Sequence, residues 1–179
     1  MHLENLNAKF ISSFDNHIKT KIYYKSIDST QLECWRLSKK KQITSGTMII
    51  SDIQTSAIGT HGRRWFTNEK GNIALSMYFK PEGLVLEEIR DLPIKIAEFL
   101  IAQIYFLIGI TLEIKCPNDL MWHGKKVGGI LVETKVQAGF VNEIVIGIGI
   151  NVAQKEFPSE IENIATSINN ILCEIGGFK

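Results

Sequence analysis

KCPNDLMWHGKKVGGILVET, residues 115–134, decides how the chain folds. It is apolar apart from two interruptions. Cys116–Asp119 holds Pro-Asn-Asp, which favours a turn because Pro fixes φ and Asn or Asp side chains bond the nearby backbone. His123–Lys126 holds a Gly and two lysines, the mark of a hairpin. The spacing therefore predicts a strand in TLEIK, a turn, a short strand in LMW, a second turn at 123–126, and a strand in VGGILVET. FVNEIVIGIGINV, residues 140–152, follows a Gly-containing turn. Its apolar residues alternate with glycines, as on a buried strand that another group approaches closely.

The same reading extends outward. KIYYKSI, ending at Ile27, alternates like a short strand. Ser29 and Thr30 follow, and Thr30-x-x-Glu33 has the form of a capping box opening a helix to about Lys41. Residues 46–51 and 73–80 read as strands, the second closed by Pro81. Between them, residues 53–72 form a long stretch with three glycines and little periodicity, and such loops usually carry function. A helix is expected from about Glu87 to Ile108 with Gly109 as its stop, and another in the tail from Pro158 to Lys179. Residues 1–21 read as a weakly patterned or helical extension and 22–179 as one domain. The class is α+β, a mixed or antiparallel sheet flanked by helices.

Composition excludes several classes of function. Apolar residues make up 45% and charged residues 22%, and the formal net charge is +1, so no global field draws the chain to nucleic acid or an anionic membrane. The three cysteines are scattered and the four histidines form no ligand-spaced cluster, which argues against structural zinc or a disulfide framework. That fits a reducing, cytoplasmic setting. Residues 92–112 are the most apolar segment, but Lys95, Glu98 and Gln103 interrupt it, leaving a clean run too short to span a bilayer.

Local chemistry concentrates in a few places. GTHGRRWF offers glycines, two arginines suited to phosphate or carboxylate, and aromatics able to stack on a base; an exposed basic loop anchored by Trp65 has the same composition. WHGKKVGG offers lysines as point charges with glycines beside them, and equally describes a plain hairpin. It is no P-loop. Asp119 suits a metal-bound water or a simple turn cap. Ser29 and Thr30 suit a ligand's polar head or a helix cap. Asn151 ends an otherwise apolar strand, and a buried amide needs a partner.

Taken in order, these pieces resemble one family. Asp28-Ser29-Thr30, Gln54, Gly59…Gly62-Arg63…Trp65-Phe66, Gly71-Asn72…Leu75-Ser76-Met77, Lys115…Pro117-Asn118-Asp119-Leu120, Lys126…Gly129-Ile130-Leu131-Val132-Glu133 and Gly147…Gly149-Ile150-Asn151-Val152 are similar to the catalytic domain of the biotin protein ligases over roughly residues 22–172. The resemblance implies a mixed sheet of the class II aminoacyl-tRNA synthetase and biotin ligase type. It implies two steps, in which biotin and Mg-ATP give biotinyl-5′-adenylate and a lysine of a biotin carboxyl carrier domain then takes the biotin. ATP, Mg²⁺ and biotin are the implied ligands, and the chain is expected to be a monomer or homodimer that engages neither nucleic acid nor membrane.

The resemblance also implies roles. Lys126 would sit between biotin's carboxylate and the α-phosphate. Ser29, Thr30, Gln31 and Gln54 would hold biotin's ureido end, with Gly59, Arg63, Gly128 and Gly129 close to the ligand. Trp65 and Asn151 would meet the adenine, and Lys115, Asn118 and Asp119 would support the site or face a metal. Three departures from the family pattern stand out. Ile58 and Thr60 stand where loop arginines are usual, Gln31 where Asn is usual, and Cys116 where Trp is usual. Neither a helix-turn-helix domain nor a complete C-terminal β-barrel is expected in the chain. An impaired remnant that only binds ligand or carrier, and a ligase for another acyl group such as lipoate, stand as alternatives.

Overall fold

The computed structural model describes residues 3–66 and 70–176. Seven strands, β1 (Thr20–Tyr24), β2 (Thr47–Ser51), β3 (Ile73–Phe79), β4 (Glu113–Lys115), β5 (Asp119–Trp122), β6 (Lys125–Gln137) and β7 (Phe140–Ile150), lie in the order β1-β2-β3-β7-β6-β5-β4. β1 and β2 pair parallel and the other neighbours antiparallel, so the sheet is mixed and the class is α+β. Among the described residues four α-helices accompany it: α1 (Leu3–Ser12), α2 (Thr30–Lys39), α3 (Leu92–Ile108) and α4 (Ile168–Glu174).

Strand side chains alternate between faces, and here the two faces differ in kind. Leu75, Met77, Ile130, Ile146, Ile148 and Ile150 meet α1, α3 and α4 in the main core. The opposite face carries Ser76, Gly147 and Gly149 along the same strands. Only a small cluster of Cys34, Ile49, Tyr78 and Val145 packs there, beneath α2. Burial pushes the Cys34 thiol up to about 12, so it behaves as an inert apolar group.

Several expectations are corrected. Leu6, Phe10 and Phe14 of the N-terminal stretch are buried in the main core, where Phe14 packs against Phe99 of α3. Ser29, not Thr30, caps α2, accepting from the Leu32 N–H. Glu33 accepts from Tyr24 and Arg36 instead of reaching back along its own helix. Leu86–Ile89 is a separate 3-10 turn and α3 begins at Leu92, with Pro93 in its first turn where a missing N–H costs nothing. Among the described residues of the tail only α4 is helical, and residues 159–164 are turns; residues 177–179 lie outside the described residues. Lys125 and Lys126 are not in a turn. The hairpin closes with His123 (φ 45°) and Gly124 (φ 80°) alone, the positive-φ pair that a two-residue turn requires. β6 therefore starts at Lys125 and turns successive lysines to opposite faces, Lys125 exposed and Lys126 partly enclosed.

Candidate active site

The N-terminus of α2 builds a polar wall on the thinly packed face. Asp28 is gripped by both terminal nitrogens of Arg36, each at 2.6 Å, and accepts from the Ser29 N–H at 2.7 Å. The Arg36 hydrogen bonds hold the Asp28 carboxyl down at about 2. This clamp fixes the turn that carries Ser29 and Thr30, both buried. Gln54 Oε1 accepts from the Thr30 N–H at 2.8 Å, and Thr30 Oγ1 lies 2.8 Å from Ser76 Oγ. Gln31 spans the sheet face beyond them. Its Nε2 donates to Glu133 at 2.9 Å and to the Val145 carbonyl at 3.3 Å, and its Oε1 accepts from Ser76 at 3.1 Å.

The floor beside this wall is made of glycine for a visible reason. A Cβ on Gly147 would fall 2.6 Å from Gln31 Oε1, and one on Gly149 would fall 2.7 Å from the Trp65 ring. Both side chains lie directly on backbone. Trp65 arrives there from a small hairpin in the long loop: the Gly59 N–H donates to Arg63 O at 2.7 Å and the Trp65 N–H to Ala57 O at 2.9 Å. Residues 57–65 of the loop predicted from composition thus form a folded flap, with Trp65 at its base; residues 67–69 lie outside the described residues.

Two cavities meet under that flap. The first is lined by Ser29, Thr30, Gln31, Gln54, Ser76 and Gly147 at its polar end, with Ile58, Gly59, Thr60, Trp65, Asn118, Lys126 and Gly129 at the other. The second is lined by Arg63, Arg64, Phe66, Asp119 and Asn151, and by Phe157, Ile161, Ile164 and Ala165 from the segment before α4. Both are open to solvent on one side. Gly59, Thr60, Trp65 and Lys126 border both. Lys126 Nζ lies 2.6 Å from Asp119 Oδ1 and 5.5 Å from the Trp65 ring centroid. Its backbone is fixed by the Ile164 carbonyl at 2.8 Å and the Thr166 N–H at 2.9 Å. Asn151 donates from Nδ2 to Thr166 O at 3.1 Å, tying β7 to the same segment.

Most of the residues expected at a site are thereby brought together. Two are not: Lys115 is exposed at the end of β4 and lines neither cavity, and Gly128 faces away, where a Cβ would meet Gly149 O at 2.9 Å and Leu120 at 3.1 Å. Asn118 lines the first cavity and pins its turn to β6, donating to Ile130 O at 2.9 Å. Sequence reasoning gave no role to Ser76 or Glu133, although alternation along β3 and β6 puts them on the same face as Gly147 and Gly149 of β7. It had no signal for Phe157, Ile161, Ile164 or Ala165, which lie in a stretch without periodicity. Among the described residues no group of three or more His, Cys, Asp or Glu side chains is placed to hold a metal.

A mixed sheet with a capped helix, a glycine floor and a Trp-bearing flap over two joined cavities defines a small-molecule site rather than a surface-binding module. Residues 23–151 match the model of the biotin/lipoate A/B protein ligase family, and the chain belongs to that family. The bifunctional ligase/repressor BirA of Bacillus spizizenii is 35% identical over 150 residues, covering 83% of this chain and 46% of the relative. The biotin–[acetyl-CoA-carboxylase] ligase of Paracoccus denitrificans is 28% identical over 156 residues, 83% of this chain and 61% of that one. The chain thus spans about half to three-fifths of the length of these relatives. The solved biotin protein ligase of Aquifex aeolicus in complex with biotin and ATP superposes with a TM-score of 0.70 at 32% identity, covering 86% of this chain and 61% of that one.

Proposed function

We propose that the chain attaches biotin to a lysine of a biotin carboxyl carrier domain through biotinyl-5′-adenylate. The observation that carries this reading is that, among the described residues, Lys126 is the one charged side chain bordering both cavities. A carboxylate and a polyphosphate repel each other, so a cation at their junction serves both and stabilises the charge that shifts as they react. In the first step a biotin carboxylate oxygen attacks the α-phosphorus and pyrophosphate leaves. In the second, a neutral carrier lysine attacks the acyl carbon, AMP leaves with the bonding pair, and the amine loses a proton. Magnesium would enter with the nucleotide substrate; among the described residues Asp119, paired with Lys126, is the one carboxylate lining either cavity.

The polar wall suits a ureido ring. Ser29 Oγ accepts from its own helix and keeps its proton to donate, and Gln54, its oxygen taken by Thr30, has its N–H pair left to offer. The second cavity, with Arg63, Arg64, Phe66 and Asn151, suits a nucleotide. The Aquifex protein was solved with biotin and ATP, and the Paracoccus protein is named for biotin attachment, which supports the same substrates here. A cytoplasmic monomer or homodimer, with the carrier domain as its partner, accords with this reading.

Biotin-dependent ATP–pyrophosphate exchange tests it. Exchange is expected above a no-biotin control and is expected to vanish in Lys126→Ala with the melting temperature kept within a few degrees. A folded wild-type chain without exchange would overturn the ligase reading; exchange retained in Lys126→Ala would remove that lysine from the mechanism.

A further inference from the structure

Glu133 lines neither cavity, yet it is the end point of the hydrogen-bond chain that runs behind the polar wall. Its Oε2 accepts from Gln31 Nε2 at 2.9 Å and from Trp35 Nε1 at 2.7 Å. An indole nitrogen only donates, so the atom it meets must be an acceptor. The Val145 carbonyl on the other side of Gln31 Nε2 is an acceptor too. The Gln31 amide therefore has one orientation, NH₂ toward Glu133 and oxygen toward Ser76.

That orientation sets every proton further along. Ser76 must spend its hydroxyl proton on Gln31 Oε1, so across the 2.8 Å contact Thr30 must donate to Ser76. The Thr30 proton is then not available for Gln54 Oε1 at 3.1 Å, which keeps the Thr30 backbone N–H instead. Thr30 Oγ1 is left with its acceptor capacity unspent inside the protein. The reversed amide would run the chain the other way: Gln31 donates to Ser76, Ser76 to Thr30, Thr30 to Gln54, and one Thr30 lone pair is consumed.

We propose that Glu133, with Trp35, is a positioning residue that fixes the direction of the Thr30–Ser76–Gln31 hydrogen-bond chain, so that the wall presents an acceptor and selects a ligand ring bearing an N–H. This rests on the biotin reading and deepens it. A ring without an N–H, such as the dithiolane of lipoate, gains nothing from that acceptor and leaves it desolvated, the kind of mismatch against which buried polar sites discriminate most strongly. The charged groups around this corner are few. Lys135 of β6 lies 4.5 Å over the Trp35 ring and pairs with Glu143 of β7 at 3.1 Å, while α2 contributes the uncharged Trp35.

Calorimetric titration of biotin and of lipoate into the whole chain tests the proposal. Glu133→Leu is expected to weaken biotin at least about tenfold, the scale of a lost charged hydrogen bond, and to leave lipoate nearly unchanged. Glu133→Gln, which keeps one acceptor oxygen, is expected to restore most of that loss. Unchanged biotin affinity in Glu133→Leu, or an equal loss for both ligands, would overturn the proposal. A second variant needs no ligand. Gln31→Glu sets two carboxylates together, and such a pair holds a proton above the ordinary carboxylate range. Its penalty is present above that raised value and is relieved as pH falls, so the melting deficit against wild type should shrink from pH 8 to about pH 5.5. A deficit equal at both pH values would mean that the side chain at position 31 does not meet Glu133 and would sink the proposal. A wild-type chain that melts normally but does not bind biotin would instead remove the ligase reading, with the Gln31→Glu comparison still deciding whether Gln31 and Glu133 are in contact.

Discussion

The finest determinant of the site is the absence of two methyl groups. Gly147 and Gly149 were legible as positions of close approach, but not what approaches. Gln31 lies on the first from α2 and Trp65 on the second from the flap, elements about a hundred residues away in sequence, and no local pattern records such a contact. Gly149→Ala is expected to displace Trp65 and to lower stability by about 1–3 kcal/mol through overpacking, read as a fall in the thermal midpoint with weaker binding of both biotin and ATP. An unchanged midpoint and unchanged affinities would mean that the indole does not rest there in solution. Lys126 illustrates the complementary difficulty. The sequence offered two adjacent lysines in what looked like one turn, and the resemblance chose between them. Strand alternation supplies the physical reason: with the turn confined to His123 and Gly124, only Lys126 turns to the cavities.

Among the elements, strands were the most readable because their alternation reflects two faces of unlike chemistry. Helix starts were less so. Ser29 and Thr30 both look like caps, and the choice between them depends on Gln54 drawing away the Thr30 N–H from 24 residues downstream. The flap is the element in which this chain departs most from its family. Ile58 is 45% exposed and lines the first cavity, and Thr60 borders both, where the family pattern has cations. Charge-assisted hydrogen bonds contribute about 1.5–3 kcal/mol each. Ile58→Arg with Thr60→Arg is therefore expected to slow release of biotinyl-adenylate by tenfold or more, measured by chasing labelled intermediate with unlabelled. Equal release rates would mean that the two positions do not reach the bound adenylate.

At the scale of the molecule, the α+β class and the colinear order of motifs could be read before any coordinates, whereas the contribution of the first residues could not. The N-terminal stretch looked weakly patterned because its three core residues, Leu6, Phe10 and Phe14, recur at fours in a short segment that also holds Asn7, Lys9, Ser12 and Ser13. Phe10 is 1% exposed. Phe10→Ala is expected to cost about 3–5 kcal/mol, read from the denaturant midpoint, while Phe106→Ala on the outer side of α3, 83% exposed, should stay within about 0.5 kcal/mol. Equal effects would mean that α1 does not belong to the core. Among the described residues no helix is long and apolar enough to cross a membrane, and the apolar run of α3 is spent on this core instead.

The unequal faces of the sheet have a consequence of their own. Three helices press on one side, while the other has a single helix and two hollows. A bound molecule would stand where a second layer of protein is missing, so it would be a structural part as much as a guest. Mutations that fill the hollows to gain stability would remove the room that the chemistry needs.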